Sequence, residues 1–230
     1  MAEKSKDYII PLLKENPLFE EISEVNLREF LEISSIKIWP KNTCLLDAES
    51  TNYNFYIIIS GKIKLYYYNP EKDRKLTLFL LVKNDAFDIS KLLNISHKKV
   101  YYETLSPSVI LSTNVLLLKA WMINNSEFYK SLLHYTLAKL KQMETYVSSA
   151  SMEDTSTKLA RLLLNNFDET SNKIKTINDL PHKELAQLIG TTRAVINRQL
   201  QIFKKEGIIE IKNRTIEIKN LSLLQNKLNR

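Results

Sequence analysis

Two arginines five residues apart, Arg193 and Arg198, follow a glycine in the run Leu180-Pro-His-Lys-Glu-Leu-Ala-Gln-Leu-Ile-Gly190-Thr-Thr-Arg193-Ala-Val-Ile-Asn-Arg198-Gln-Leu-Gln-Ile-Phe-Lys-Lys-Glu-Gly207. A guanidinium is always charged and presents a rigid planar fork of donors, so it suits phosphates and the edges of bases. The run reads as two short amphipathic helices joined by a glycine turn, the pattern of a DNA-reading helix-turn-helix. Ile189, Val195, Ile196, Leu200 and Phe203 supply its apolar side. Ala186 and Gly190, four apart, are expected to let the helices pack closely and to turn the chain. Both arginines then fall on the second helix, where a groove-reading helix carries its cations.

Charge points to the same end of the chain. The net charge of +7 resides in residues 171–230, which hold 12 basic and 5 acidic side chains. The preceding 170 residues are balanced. A basic excess confined to one module is the electrostatic footprint of phosphate binding. Catalytic signatures are missing: there is no nucleophile–base pairing, no metal-ligand cluster, and only 3 glycines for a phosphate-cradling loop. His97, His134 and His182 are scattered without ligand spacing, so neither a metal nor another cofactor is expected, and an enzyme is not the reading. The single cysteine, Cys44, rules out an internal disulfide. It would sense redox state if exposed with a lowered pKa, and a buried, inert thiol is the alternative.

With 44% hydrophobic residues and 230 in all, the chain can hold two domains with their own cores. It contains no apolar run long enough to span a membrane and no secretory leader, which makes the cell interior, the cytoplasm, the natural compartment. Residues from about Ser5 to Phe30 look helical, with Leu18, Phe19, Ile22, Val25, Leu27 and Phe30 as the packing face. Short strands follow to about Lys119, including Ile36–Trp39, Asn54–Ile59, Lys62–Tyr68, Leu76–Val82, Val100–Leu105 and Val109–Leu111, the spacing of a barrel or sandwich. Tyr66, Tyr67, Tyr68, Tyr101 and Tyr102 either line an apolar pocket or pack on a strand face.

A long helix is expected from Asn125 or Ser126 to about Ser149. Its stripe of Leu133, Thr136, Leu137, Leu140, Met143 and Val147 needs a partner, either the β-domain or the same helix of a second copy. The second copy would make a two-fold DNA reader. Ser148-Ser-Ala-Ser151 reads as a hinge, and Asp154 as the cap of the next helix, Thr155 to about Asn166. After Gly207, Ile208–Lys212 and Thr215–Lys219 alternate as a β-hairpin wing. Lys212, Arg214 and Lys219 would lie against phosphates there, or belong to an ordinary solvated hairpin.

From about Asn16 to Leu223 this arrangement resembles the Crp/Fnr superfamily of transcription regulators. Asn16-Pro-Leu-Phe19 and Tyr56-Ile-Ile-Ile-Ser-Gly61-Lys-Ile-Lys-Leu-Tyr66 look like its cyclic-nucleotide-type β-roll. Gly190-Thr-Thr-Arg193-Ala-Val-Ile-Asn-Arg198 resembles its recognition-helix signature. The resemblance implies an α+β fold: a cyclic-nucleotide-binding-like sensor domain over residues 1–124, a dimerisation helix and hinge over 125–150, and a winged helix-turn-helix over 151–230. It implies a homodimer on an inverted-repeat operator of double-stranded DNA, with half-sites roughly 34 Å apart, and RNA polymerase as a further candidate partner. DNA would be met by Thr191, Thr192, Arg193, Ala194, Asn197, Arg198, Gln199, Lys212 and Arg214, the arginines on guanine edges or phosphates.

Departures from the family pattern carry information. The glutamate that often follows the first recognition arginine is Ala194 here. Alanine offers only an apolar contact, for example to a thymine methyl, so a different half-site is expected. Gln199 replaces an aliphatic residue and points either to DNA or into the domain. In the sensor half, Asn84-Asp-Ala-Phe-Asp-Ile-Ser90 and His97-Lys-Lys-Val100 stand where a Gly-Glu segment and an Arg-Ser/Thr pair hold a cyclic nucleotide. Asp88 would repel its phosphate, and Lys98 and Lys99 lack arginine's fork, so cyclic AMP is not the expected ligand. The effector is left open. The other class kept open is a ligand-binding or protein-interaction module whose winged helix contacts protein.

Overall fold

The computed structural model describes residues 6–45, 53–71, 73–93, 100–171, 173–212 and 215–228. It divides into two compact units, residues 1–74 with 78–142, and residues 75–77 with 143–230. The first unit begins with a 3-10 turn, Asp7–Ile9, then α1 (Ile10–Lys14) and α2 (Glu24–Glu32). The helical region expected there is interrupted between α1 and α2. Asn16 precedes Pro17, which disfavours helical backbone, and its Oδ1 accepts from Leu18 N at 2.9 Å while its Nδ2 donates to Asn84 O at 3.2 Å. Of the expected packing face, Leu18, Phe19, Ile22, Leu27 and Phe30 are buried, but Val25 is 65% exposed.

Eight strands follow: β1 (Ser34–Trp39), β2 (Cys44–Leu45), β3 (Asn54–Ser60), β4 (Ile63–Asn69), β5 (Arg74–Leu81), β6 (Ala86–Phe87), β7 (Tyr101–Thr104) and β8 (Ser108–Asn114). They form two four-stranded sheets, ordered β1-β8-β3-β6 and β2-β7-β4-β5. The apolar run in β3 is explained by burial on both faces. Phe55 and Ile57 pack with Phe19, Phe30, Trp121 and Phe128 in a helix-covered core, while Tyr56 and Ile58 join Trp39, Ile63, Leu81, Phe87, Tyr102 and Ile110 between the sheets.

Asn114 closes the last strand and caps α3 (Val115–Ile123), its Oδ1 accepting from Leu116 N at 2.9 Å. Helix α4 (Ser126–Met152) runs across the division between the units. Ser148-Ser-Ala-Ser151 lies inside it, so the hinge expected there is helical. Ser148 Oγ donates to Thr145 O at 3.0 Å and Ser149 Oγ to Glu153, so these hydroxyls are satisfied without breaking the helix. The helix ends at Glu153–Asp154. Asp154 Oδ1 accepts from Thr157 N at 2.7 Å and starts α5 (Thr155–Asn165). Two short strands, β9 (Phe167–Asp168) and β10 (Lys173–Ile174), precede α6 (His182–Leu188), α7 (Arg193–Lys205), the hairpin of β11 (Ile209–Lys212) and β12 (Thr215–Ile218), and α8 (Leu221–Asn226). Among the described residues no helix is long and apolar enough to cross a membrane.

Candidate nucleic-acid interface

Helix α6 ends by a local device. Gly190 takes φ +70°, and Thr191 N donates to Ala186 O at 2.9 Å, the left-handed stop that turns a helix sharply. A Cβ on Gly190 would meet nothing within 4 Å. Its role is therefore the backbone angle, and the close packing expected of it belongs to Ala186, which is buried. Thr192 then caps α7, its Oγ1 accepting from Val195 N at 3.4 Å. Ile196, Leu200 and Phe203 are fully buried, and Ile189 is nearly so, whereas Val195 is only half-buried.

At 100° per residue, burying Ile196, Leu200 and Phe203 turns Ala194, Arg198, Gln201 and Lys205 outward. All four are exposed, as are Arg193 and Lys204. Helix α7 contains four cations and no acid. Among the described residues, no carboxylate is within ion-pair reach of Arg193, Arg198, Lys204 or Lys205. Arg193 occupies the first turn, the positive end of the helix dipole, where a cation is disfavoured unless an anion is close. Asn197 is half-buried, with its Oδ1 2.6 Å from His182 Nδ1 on α6. Gln199 is also half-buried, on the flank of the core side, about 100° round the helix from Arg198. Thr191 is half-buried in the turn.

The wing differs. Lys212 Nζ lies 3.1 Å from Glu210 Oε2, and Lys219 Nζ lies 2.9 Å from Glu210 and 3.1 Å from Glu217. Hydrogen bonds from Lys219 and Lys212 hold the Glu210 carboxyl below its ordinary range, and Glu210 in turn raises the Lys219 ammonium. Asn213 and Arg214 lie outside the described residues. Lys227 is likewise committed: its ammonium is 2.7 Å from Glu206 and lies over the Phe203 ring, 5.5 Å from the centroid, while its carbonyl accepts from Thr157 Oγ1 at 3.1 Å. Among the described residues, the cations of α7 are thus unneutralised, while Lys212 and Lys219 of the wing are paired. Pairing of this kind leaves no mark in a charge count.

The other unit holds a cavity of about 300 Å³. Its walls include Leu65, Tyr67, Phe79, Phe87, Val100 and Tyr102, with Asp88, Tyr135 and Lys139 as polar members. Of the five tyrosines singled out in the sequence, Tyr67 and Tyr102 line it. Tyr66 and Tyr68 instead pack against Tyr101, with centroids 5.4 and 6.4 Å away. Tyr102 donates to Asp88 Oδ1 at 2.8 Å. Burial, reinforced by the Asp88 charge, pushes the Tyr102 and Tyr56 hydroxyls up. Lys139 is spent on Asp85 at 2.6 Å. Tyr135 OH donates to Asp85 Oδ1 and accepts from Ala86 N, fastening α4 to β6. His97, Lys98 and Lys99 lie outside the described residues, as does the Cys44 side chain. His134 is exposed on α4.

A winged helix-turn-helix with a cationic second helix is the architecture of a DNA-binding module. Residues 157–227 match the Crp-like helix-turn-helix domain. The chain is similar to the CRP-like cAMP-activated global transcriptional regulator of Mycobacterium tuberculosis, 23% identical over 71% of this chain and 74% of that one. It is also similar to the cyclic AMP receptor protein of Thermus thermophilus, 22% identical over 93% and 97%. Among structures, a CooA variant from Carboxydothermus hydrogenoformans superposes with TM-score 0.72 at 21% identity, covering 92% of this chain and 94% of that one. A Crp/Fnr regulator of Eubacterium rectale does so with TM-score 0.69 at 18% identity, covering 93% and 98%. Residues 157–227 are thus a Crp-like helix-turn-helix domain, and the chain as a whole is similar to Crp/Fnr transcription regulators.

Proposed function

We propose that the protein works as a homodimer on an inverted-repeat operator, with one α7 in each major groove, and that its sensor cavity does not take cyclic AMP. The observation that carries the DNA contact is the acid-free, unneutralised face of α7. Arg193 and Arg198 are its readers or phosphate clamps, with Thr191, Thr192, Ala194 and Asn197 beside them. Gln199 enters from the flank. Lys212 and Arg214 are secondary, and Lys212 must exchange Glu210 for a phosphate to take part. Residues 1–124 serve as the sensor, 125–150 as the dimer helix and 151–230 as the reader.

The dimer reading rests on the apolar stripe of α4. Leu133, Leu137, Leu140 and Val147 are each more than half exposed, while Leu132 and Tyr135 on another side of the helix pack onto the sensor core. The β-domain therefore occupies a different face of α4 and leaves the stripe for a second copy. Against cyclic AMP stands the cavity's charge. Asp88 adds negative charge to the lining, and the one cation in the described lining, Lys139, is already neutralised by Asp85.

Selection of binding sites from random duplexes should return an inverted repeat, and recovery of no motif would defeat the DNA-reading function. On the selected site, Arg198→Ala should weaken binding by about 1–3 kcal/mol and relax the preference at one base pair. An equal loss on all sequences makes Arg198 a phosphate contact. Equilibrium dialysis with cyclic AMP at millimolar concentration should show no uptake, and saturable uptake would refute the sensor half of the proposal.

A further inference from the structure

His182, the first residue of α6, is not part of the domain core, yet it makes one specific bond. Its Nδ1 lies 2.6 Å from Asn197 Oδ1. An amide oxygen can only accept, so the ring nitrogen carries the hydrogen and donates it. Asn197 stands one turn after Arg193 and one turn before Gln201 on α7, next to Arg198. Its amide nitrogen has no protein partner among the described residues. A free asparagine presents an acceptor and two donors together, the set that matches adenine N6 and N7. With the oxygen turned to the imidazole, the plane of the amide is fixed and its donor half is left for another acceptor.

The geometry points to His182 as a positioning residue that sets which base Asn197 reads. This rests on the DNA-reading function proposed above. Asn197 donates through Nδ2 to an acceptor edge, guanine O6 or N7 or thymine O4, and is withheld from the two-bond contact with adenine. Neither part is visible from α7 alone, because the residue that makes the choice lies on the other helix, fifteen positions earlier.

The test compares selected duplexes for the full-length wild type and for His182→Ala, His182→Asn and Asn197→Ala. His182→Ala should return the wild-type motif except at one base pair in each half-site, where adenine gains at least about fivefold, the low end of a base-edge contact. His182→Asn places an amide donor where Nδ1 stood and should restore the wild-type base. Asn197→Ala should erase the preference at that same pair, with or without His182. If His182→Ala does not fold, His182→Gln is used instead: its longer amide carries the donor past the place of Nδ1, so it should show the same gain of adenine. An unchanged motif, or a loss equal on every sequence, overturns the positioning role while leaving the DNA-reading function intact. A wild type that selects no motif removes that function and this inference with it.

Discussion

At the scale of single residues, two glycines do different work and should fail differently. Gly61, at φ +104° between β3 and β4, would place a Cβ 2.6 Å from the Cα of Ser108, and backbone does not yield as a flexible side chain does. Gly61→Ala should cost more than about 3 kcal/mol in chemical unfolding of the β-roll. Gly190 faces open space, so Gly190→Ala should cost only the left-handed backbone penalty of about 1 kcal/mol, and Gly190→Asn less. Equal losses at the two positions would contradict the geometry. The capping role of Asp154 and the glycine turn at Gly190 were legible because each depends on neighbours in the chain. The bond from His182 to Asn197 was not, because it joins two helices and follows no periodicity.

At the scale of elements, the start of α5 is held by two carboxylates. Asp154 accepts from Thr157 N, which lowers its pKa, and Glu153 is lowered by its hydrogen bonds from Arg161. Groups with depressed pKa values add stability above the ordinary carboxylate range and lose it as pH falls through and below about 4. Urea midpoints should therefore drop on acidification below about pH 5, and Asp154→Ala should remove about 1 kcal/mol at neutral pH and blunt that drop. Helix α4 gives a second prediction. Leu137 and Leu140 are 52% and 55% exposed, so changing both to Glu should leave the helical signal intact while sedimentation shifts from dimer to monomer. A monomeric wild type would remove the basis for the two-fold operator. The length of α4 was legible from its repeat, but its passage through Ser148–Ser151 was not. Serine favours helix ends on average, and here its hydroxyls are satisfied inside the helix. The break between α1 and α2 was hidden for the reverse reason, since Asn16 reaches Asn84, far along the chain.

At the scale of the whole molecule, the ion pairs of the wing would make the proposed DNA contact smaller than the net charge suggests. If the wing lysines stay with Glu210 and Glu217, only the helix cations release counterions. The slope of log affinity against log salt should then lie between about −4 and −7 for a dimer, against roughly −20 if every basic residue of 171–230 took part. Titration of the selected duplex at several salt concentrations measures it, and a slope near the larger figure would mean that the wing opens on DNA. The two-unit architecture, the paired sheets and the helix-turn-helix were all legible in outline, because long periodic segments and a glycine turn survive without tertiary information. The cavity was not, because strands distant in sequence build its walls, and only two of the five tyrosines singled out face it.

The absence of any acid from α7 has a further consequence. A carboxylate in a recognition helix does more than accept from cytosine, because its charge also pushes away backbones and bases that are wrongly placed. Arg193 to Lys205 has no such element, and the place where relatives often carry it is Ala194. Such a helix lacks like-charge repulsion as a means of expelling poor sites. Between operators it should stay on the chromosome, sliding over unrelated sequence, with near-cognate half-sites competing for it. Its regulon would then be graded by occupancy and protein abundance, with no sharp boundary between sites that are bound and sites that are not.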